Sequence, residues 1–148
     1  MAAGVNIALF DSAAHQAAVV HLWKDTFGYE TAHNEPNLVI AKKVALHDGL
    51  FFVALQDHLV VGTVMGGYDG HRGWIYSLAV DPDHQRRGLG SHLVRHLEAR
   101  LAELGCLKIN LQILASHASV EAFYRSLGYL TEERISMGKR LPLKSLQS

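Results

Sequence analysis

The chain has 148 residues, 49% of them apolar, and balances 14 Lys+Arg against 14 Asp+Glu. That is long enough for one buried core, with no net field to attract nucleic acid or a membrane surface. Its single cysteine, Cys106, excludes an internal disulfide, while ten histidines make the net charge rise in mild acid.

Met1-Ala2-Ala3-Gly4 has no basic n-region, and no stretch reaches the ~18 apolar residues of a membrane span, so a cytoplasmic protein is expected. Val5–Phe10 alternates as a short strand. Asp11 or Ser12 is placed to cap a helix running to about Thr26, with Val19, Val20, Leu22, Trp23 and Phe27 on its buried side and Gly28 as its stop. Asn34–Asp48 reads as a second helix, ended by His47-Asp48-Gly49. A meander follows: Leu50–Leu55, a turn at Gln56-Asp57-His58, the return strand Leu59–Tyr68, a turn over Asp69-Gly70-His71-Arg72-Gly73, and Trp74–Val80. Pro82 ends it, because proline cannot donate to a central ladder.

Gly88–Leu104 is the strongest helix. Leu89, Leu93, Leu97, Leu101 and Leu104 fall within about 120° of arc, and Gly105 is a C-terminal stop. Leu107–Leu114 reads as a strand buried on both faces, and Cys106 as a packing residue at its start. His117–Leu127 is a short helix closed by Gly128, and Tyr129–Leu141 a final strand. The order β-α-α-β-β-β-α-β-α-β gives an α/β fold: one mixed, mostly antiparallel central sheet flanked by helices, in a single domain over residues 1–148.

The run Leu78-Ala79-Val80-Asp81-Pro82-Asp83-His84-Gln85-Arg86-Arg87-Gly88-Leu89-Gly90-Ser91 joins a strand to the first turn of the leucine helix. That turn has unpaired N–H groups and a partial positive charge. Glycines at 88 and 90 remove side chains that would block close approach. Amides from Arg86 to Ser91 can then converge on phosphate oxygens, with Arg86 and Arg87 adding charge. A Walker A ending is excluded by Gly90-Ser91-His92. A dinucleotide fingerprint is excluded by Leu93 in place of its third glycine. Alone, the segment also fits a tight turn with two surface arginines.

Gln85-x-x-Gly88-x-Gly90 resembles the Gln/Arg-x-x-Gly-x-Gly/Ala pyrophosphate signature of the GNAT acetyltransferase superfamily, where it follows a Leu-Ala-Val-x-Pro phrase such as Leu78–Pro82. Glu121–Tyr129 (EAFYRSLGY) resembles a second segment of that family, Ala-x-x-x-Tyr-x-x-x-Gly-Phe/Tyr. Gly62–Gly73 is similar to the bacterial YpeA-like subgroup. The resemblance implies an acetyl-CoA core over about residues 50–140 and a helical substrate lip over 11–48. It implies that acetyl-CoA, as co-substrate, is held by Leu78, Ala79, Val80, Gln85, Arg86, Arg87, Gly88, Leu89, Gly90, Ser91 and His117, and that Tyr124 is the acid for the departing sulfur. The strand at Trp74–Val80 would splay from Leu107–Leu114 to admit the pantetheine arm, and one free backbone N–H there would polarise the thioester carbonyl.

Two departures stand out. Many members have Asn where this chain has His117, and Trp74–Val80 contains no acid. That leaves Asp69, His71, Tyr76, Glu30 and Glu35 as candidate bases. His92 and His96 have metal-compatible i, i+4 spacing, but Leu93 breaks the zincin pattern, and no metal is expected. Trp23 and Trp74 read as core residues.

The implied activity is acetyl transfer from acetyl-CoA to a primary amine of a small molecule or peptide. The alternatives are a protein N-terminal or lysine acetyltransferase, a non-catalytic acyl-CoA-binding regulatory module, and a structural domain without a CoA site. Neither nucleic acid nor membrane is an expected partner, and a homodimer is left open.

Overall fold

A computed structural model describes residues 4–28 and 32–142. The chain forms two compact units, Met1–Gln112 and Ile113–Ser148. The first holds a five-stranded sheet in the order β1 (Val5–Leu9), β2 (Phe51–Gln56), β3 (Leu59–Tyr68), β4 (Gly73–Val80) and β5 (Ile109–Asn110). The first four strands are antiparallel neighbours, and β5 runs parallel to β4. The mixed, mostly antiparallel sheet expected from the sequence is present.

Local chemistry explains the ends of the elements. α1 (Ser12–Phe27) is capped by Asp11, whose carboxylate accepts from the Ala14 N–H. α2 (Pro36–Ala45) starts with proline in its first turn and is capped by Glu35, which accepts from Asn37 and Leu38. Asp57 and His58, both at positive φ, make the two-residue hairpin between β2 and β3. α3 (Leu89–Glu103) ends in paired bonds from Gly105 N–H to Ala102 O and from Cys106 N–H to Leu101 O, with Gly105 at φ 93°.

One face of the sheet packs against α1, where Val19, Leu22, Trp23, Ile40, Phe51, Val53, Met65 and Ala79 form a core cluster. The other receives α3, with Leu93, Val94, Leu97 and Leu101 fully buried. Glycines on β3 set how closely α3 approaches. A Cβ on Gly66 would stand 2.5 Å from Leu97 Cδ1, and one on Gly62 3.0 Å from Leu93 Cδ1. Cys106 packs as expected, its sulfur against Gly73. Lys43 of α2 holds Asp48 at 2.7 Å and also bonds the Gly66 carbonyl, tying α2 to β3.

Two expected strands differ. Leu107–Leu114 is a strand only at Ile109–Asn110, and it is not buried on both faces: Leu107 is 97% exposed and Leu114 68%. Its ladder with β4 ends at Trp74↔Asn110. In the second unit, α4 (Ala118–Ser126) forms as expected, but no strand follows it among the described residues of Tyr129–Leu141. Instead Thr131 accepts from Arg125 at 2.7 Å and donates to Glu121, which ties the chain after Gly128 back to α4. No helix among the described residues is long and apolar enough to cross a membrane.

Candidate functional site

β4 carries the first half of the site. Its register with β3 passes from Thr63↔Ala79 to Met65↔Tyr76, so Ser77 and Leu78 together oppose Val64. This is a β-bulge on β4, with Ser77 at φ 50°, in the left-handed region. Thr63, fully buried on β3, answers the disturbance: its hydroxyl donates to Ser77 O at 2.9 Å and accepts from Trp23 Nε1 at 2.9 Å. Trp23 is thus a core residue, as expected, and also a donor. On its other edge the ladder with β5 covers only Gly73 and Trp74, and no strand pairs with Ile75–Val80 there among the described residues.

The second half is the link from β4 to α3. Its entry is pinned. Asp81 N–H bonds Val61 O at 2.9 Å, a carbonyl beside a second bulge, and Asp81 Oδ1 accepts from Asp83 N–H. The His84 ring bridges Asp81 and Gln56, and the Gln85 amide donates to Val80 O. Beyond this the backbone opens. Arg86 at φ 65° and Gly88 at φ 77° flank Arg87, and such alternation turns successive N–H groups to one concave side. The N–H groups from Arg86 to Ser91 have no hydrogen-bond partner among the described residues. They adjoin the positive end of α3. A Cβ on Gly88 would meet nothing within 4 Å, so the space above it is open. Arg86 and Arg87 are exposed, and no acid among the described residues holds either guanidinium. Open N–H groups beside two exposed guanidiniums are the chemistry that an anion would use.

Tyr124 and His117 belong to the second unit. Tyr124 lies in the last turn of α4, 7% exposed, edge-on to the rings of Phe123 and Tyr129. Burial pushes its hydroxyl up to about 12. His117 is the N-cap residue of α4. Its side chain is exposed and makes no cap hydrogen bond.

The candidate bases separate on chemistry. Asp69 accepts from the N–H groups of His71 and Arg72, and those bonds hold its carboxyl below the usual range. Glu35 is lowered by the same kind of bonds from Asn37 and Leu38 at the start of α2. Both are turn and cap residues. Partial burial, and then the Asp69 charge, raise the Tyr76 hydroxyl, and its ring covers Gly67 on the β3–β4 surface. His71 sits in the β3–β4 turn, and Glu30 lies outside the described residues. His96 packs edge-on against Phe52, and no group of metal-binding side chains occurs among the described residues. Sequence reasoning missed Thr63 and Ser77. A threonine in a strand and a serine at positive φ carry no local signature, and Trp23 meets Thr63 from 40 positions away.

The model of the acetyltransferase (GNAT) family matches residues 16–129. An acetyltransferase of Yersinia pestis (strain Pestoides F) is 42% identical over 108 residues, covering 73% of this chain and 77% of its own. One from Pectobacterium atrosepticum is 40% identical over 124 residues, covering 84% and 87%. Among solved structures, the PaiA N-acetyltransferase of Thermoplasma acidophilum in complex with coenzyme A superposes with a TM-score of 0.75 at 15% identity, covering 88% of this chain and 92% of its own.

Proposed function

The chain belongs to the GNAT acetyltransferase family, and on that premise we propose that it moves an acetyl group from acetyl-CoA to a primary amine of a small molecule or peptide. The observation that carries the reading is the row of N–H groups from Arg86 to Ser91 at the start of α3 that have no partner among the described residues, next in the chain to a strand whose ladder with β5 ends at Trp74. In this reading the amides and the Arg86 and Arg87 guanidiniums hold the diphosphate. Backbone groups of Leu78, Ala79 and Val80 meet the pantetheine arm as an added strand would.

A peptide N–H of the bulged segment polarises the thioester carbonyl. The amine nitrogen attacks the acetyl carbon, the C–S bond breaks, and coenzyme A leaves as a thiolate. The proton lost by the amine leaves through water; Asp69 and Glu35, committed to backbone bonds, are not its first acceptors in this reading. Tyr124 supplies a donor for the sulfur. With a pKa of about 12 it stays protonated across the working range, so it stabilises the thiolate by a hydrogen bond more than by full proton transfer. His117 is assigned to the cofactor with a single ring donor in place of an amide. The whole of residues 1–148 is taken as one catalytic domain working in the cytoplasm.

Calorimetric titration with acetyl-CoA, followed by a thiol-release assay over a panel of amines, tests this. Saturable binding with amine-dependent release is expected. Binding without release for any amine would leave an acyl-CoA-binding module, and no binding at millimolar ligand would remove the cradle assignment altogether.

A further inference from the structure

We propose that Trp23 and Thr63 are positioning residues for acetyl transfer: through the Ser77 carbonyl they set the direction of the Leu78 N–H. The proposal rests on the reading that β4 offers a peptide N–H to the thioester carbonyl. The direction of the relay is fixed by chemistry. An indole N–H can only donate and a carbonyl can only accept, so the single Thr63 hydroxyl proton must go to Ser77 O while its lone pair takes the Trp23 proton.

Thr63 is the one buried polar residue in the core among those described. Its place there follows from the bulge, where the Ser77 carbonyl takes its bond from a side chain. A trans peptide points its C=O and N–H in opposite directions, and no described peptide bond is cis. Anchoring the Ser77 carbonyl on β3 therefore turns the Leu78 N–H away from β3, on the side of β4 where the ladder with β5 has ended. Neither Trp23 nor Thr63 touches the reacting atoms in this arrangement. They hold a left-handed, non-glycine residue in place, and with it the dipole.

Three substitutions test the relay. Thr63→Val removes the hydroxyl at nearly constant volume. It should lower kcat about 10- to 100-fold while the acetyl-CoA dissociation constant stays within about threefold. Thr63→Ser keeps the hydroxyl and should restore most of the rate, an outcome that loss of packing would not produce. Trp23→Phe removes the N–H and should give an intermediate loss; it carries the test if Thr63→Val does not fold. A cofactor-free measurement accompanies them: the Leu78 amide resonance should shift in Thr63→Val and stay in place in Thr63→Ser.

Wild-type kcat in folded Thr63→Val, a loss that Thr63→Ser does not restore, or a fall in binding that matches the fall in rate would overturn the proposal. If the wild-type protein transfers no acetyl group, the reaction reading fails. The Leu78 resonance then decides by itself whether Thr63 sets that peptide, and an unmoved resonance in Thr63→Val overturns it.

Discussion

At Tyr124 a single displacement has two measurable consequences. Burial raises the hydroxyl from the usual value near 10 to about 12 by disfavouring the phenolate. The neutral form is favoured in the folded chain, so this contribution to stability is complete below the unfolded tyrosine's pKa and is lost as pH rises through the folded one. Urea denaturation of wild type and Tyr124→Phe should therefore diverge between about pH 10 and pH 12. The wild type should lose on the order of 2–3 kcal/mol more across that window, and parallel curves would contradict the burial assigned to the hydroxyl. In the proposed chemistry the same group donates to a thiolate. Tyr124→Phe should cost roughly 100-fold in kcat with little change in acetyl-CoA affinity. Because the hydroxyl stays protonated well above neutrality, both proteins should show the same pH profile below about pH 10. Tyr124 and the residues proposed for the cradle could be singled out in the sequence because each sits in a short run that resembles a segment of the family. Thr63 could not, since its role exists only once α1, β3 and β4 have been brought together.

The elements divide along the same line. Those with a covalently local reason for their ends were readable: Asp11 as a cap, Gly105 and Gly128 as stops, and the hairpin turn at Gln56-Asp57-His58; Glu35, read as a candidate base, is instead the cap of α2. Strands that need a distant partner were less so. The apolar run from Leu107 to Leu114 has strand propensity throughout, yet pairs only at Ile109–Asn110. The bulge at Ser77 bends β4 out of a straight ladder soon after that point, and propensity cannot supply a missing neighbour. After Gly128 the bonds from Thr131 to Arg125 and Glu121 tie the chain to α4 in place of a ladder. The contact between α3 and β3 has the opposite character, being dictated by two glycines inside a strand. Gly66→Ala would place a Cβ 2.5 Å from Leu97 Cδ1 and 3.0 Å from its Cδ2, so rotating that buried leucine gives no relief. The substitution should cost about 1–3 kcal/mol in chemical denaturation. A neutral result would mean that α3 can shift away from β3 without penalty.

At the scale of the whole molecule, the charge balance that argued against nucleic acid leaves the proposed binding of the diphosphate to the local field at the start of α3. Binding there should be visible as stability. A ligand that binds only the folded chain stabilises it by about 2.7 kcal/mol at one hundred times its dissociation constant, or roughly 5–10 °C in Tm for a chain of this length. Gly88→Glu isolates the cradle from the rest. Its Cβ meets nothing within 4 Å, so no atom is displaced, and the penalty is confined to a side chain at φ 77°, about 1–2 kcal/mol. The carboxylate then occupies and neutralises the concave side that the amides from Arg86 to Ser91 present. Gly88→Asn shares the backbone cost to a lesser degree and adds no charge. Acetyl-CoA should raise Tm in wild type, Gly88→Asn and Tyr124→Phe, and fail to do so in Gly88→Glu. An undiminished shift in Gly88→Glu would place the diphosphate somewhere other than the opening turn of α3. A shift lost equally in Gly88→Asn would trace the effect to the backbone conformation at residue 88 rather than to charge, and the amide cradle would then act through its shape more than through the field at the helix end.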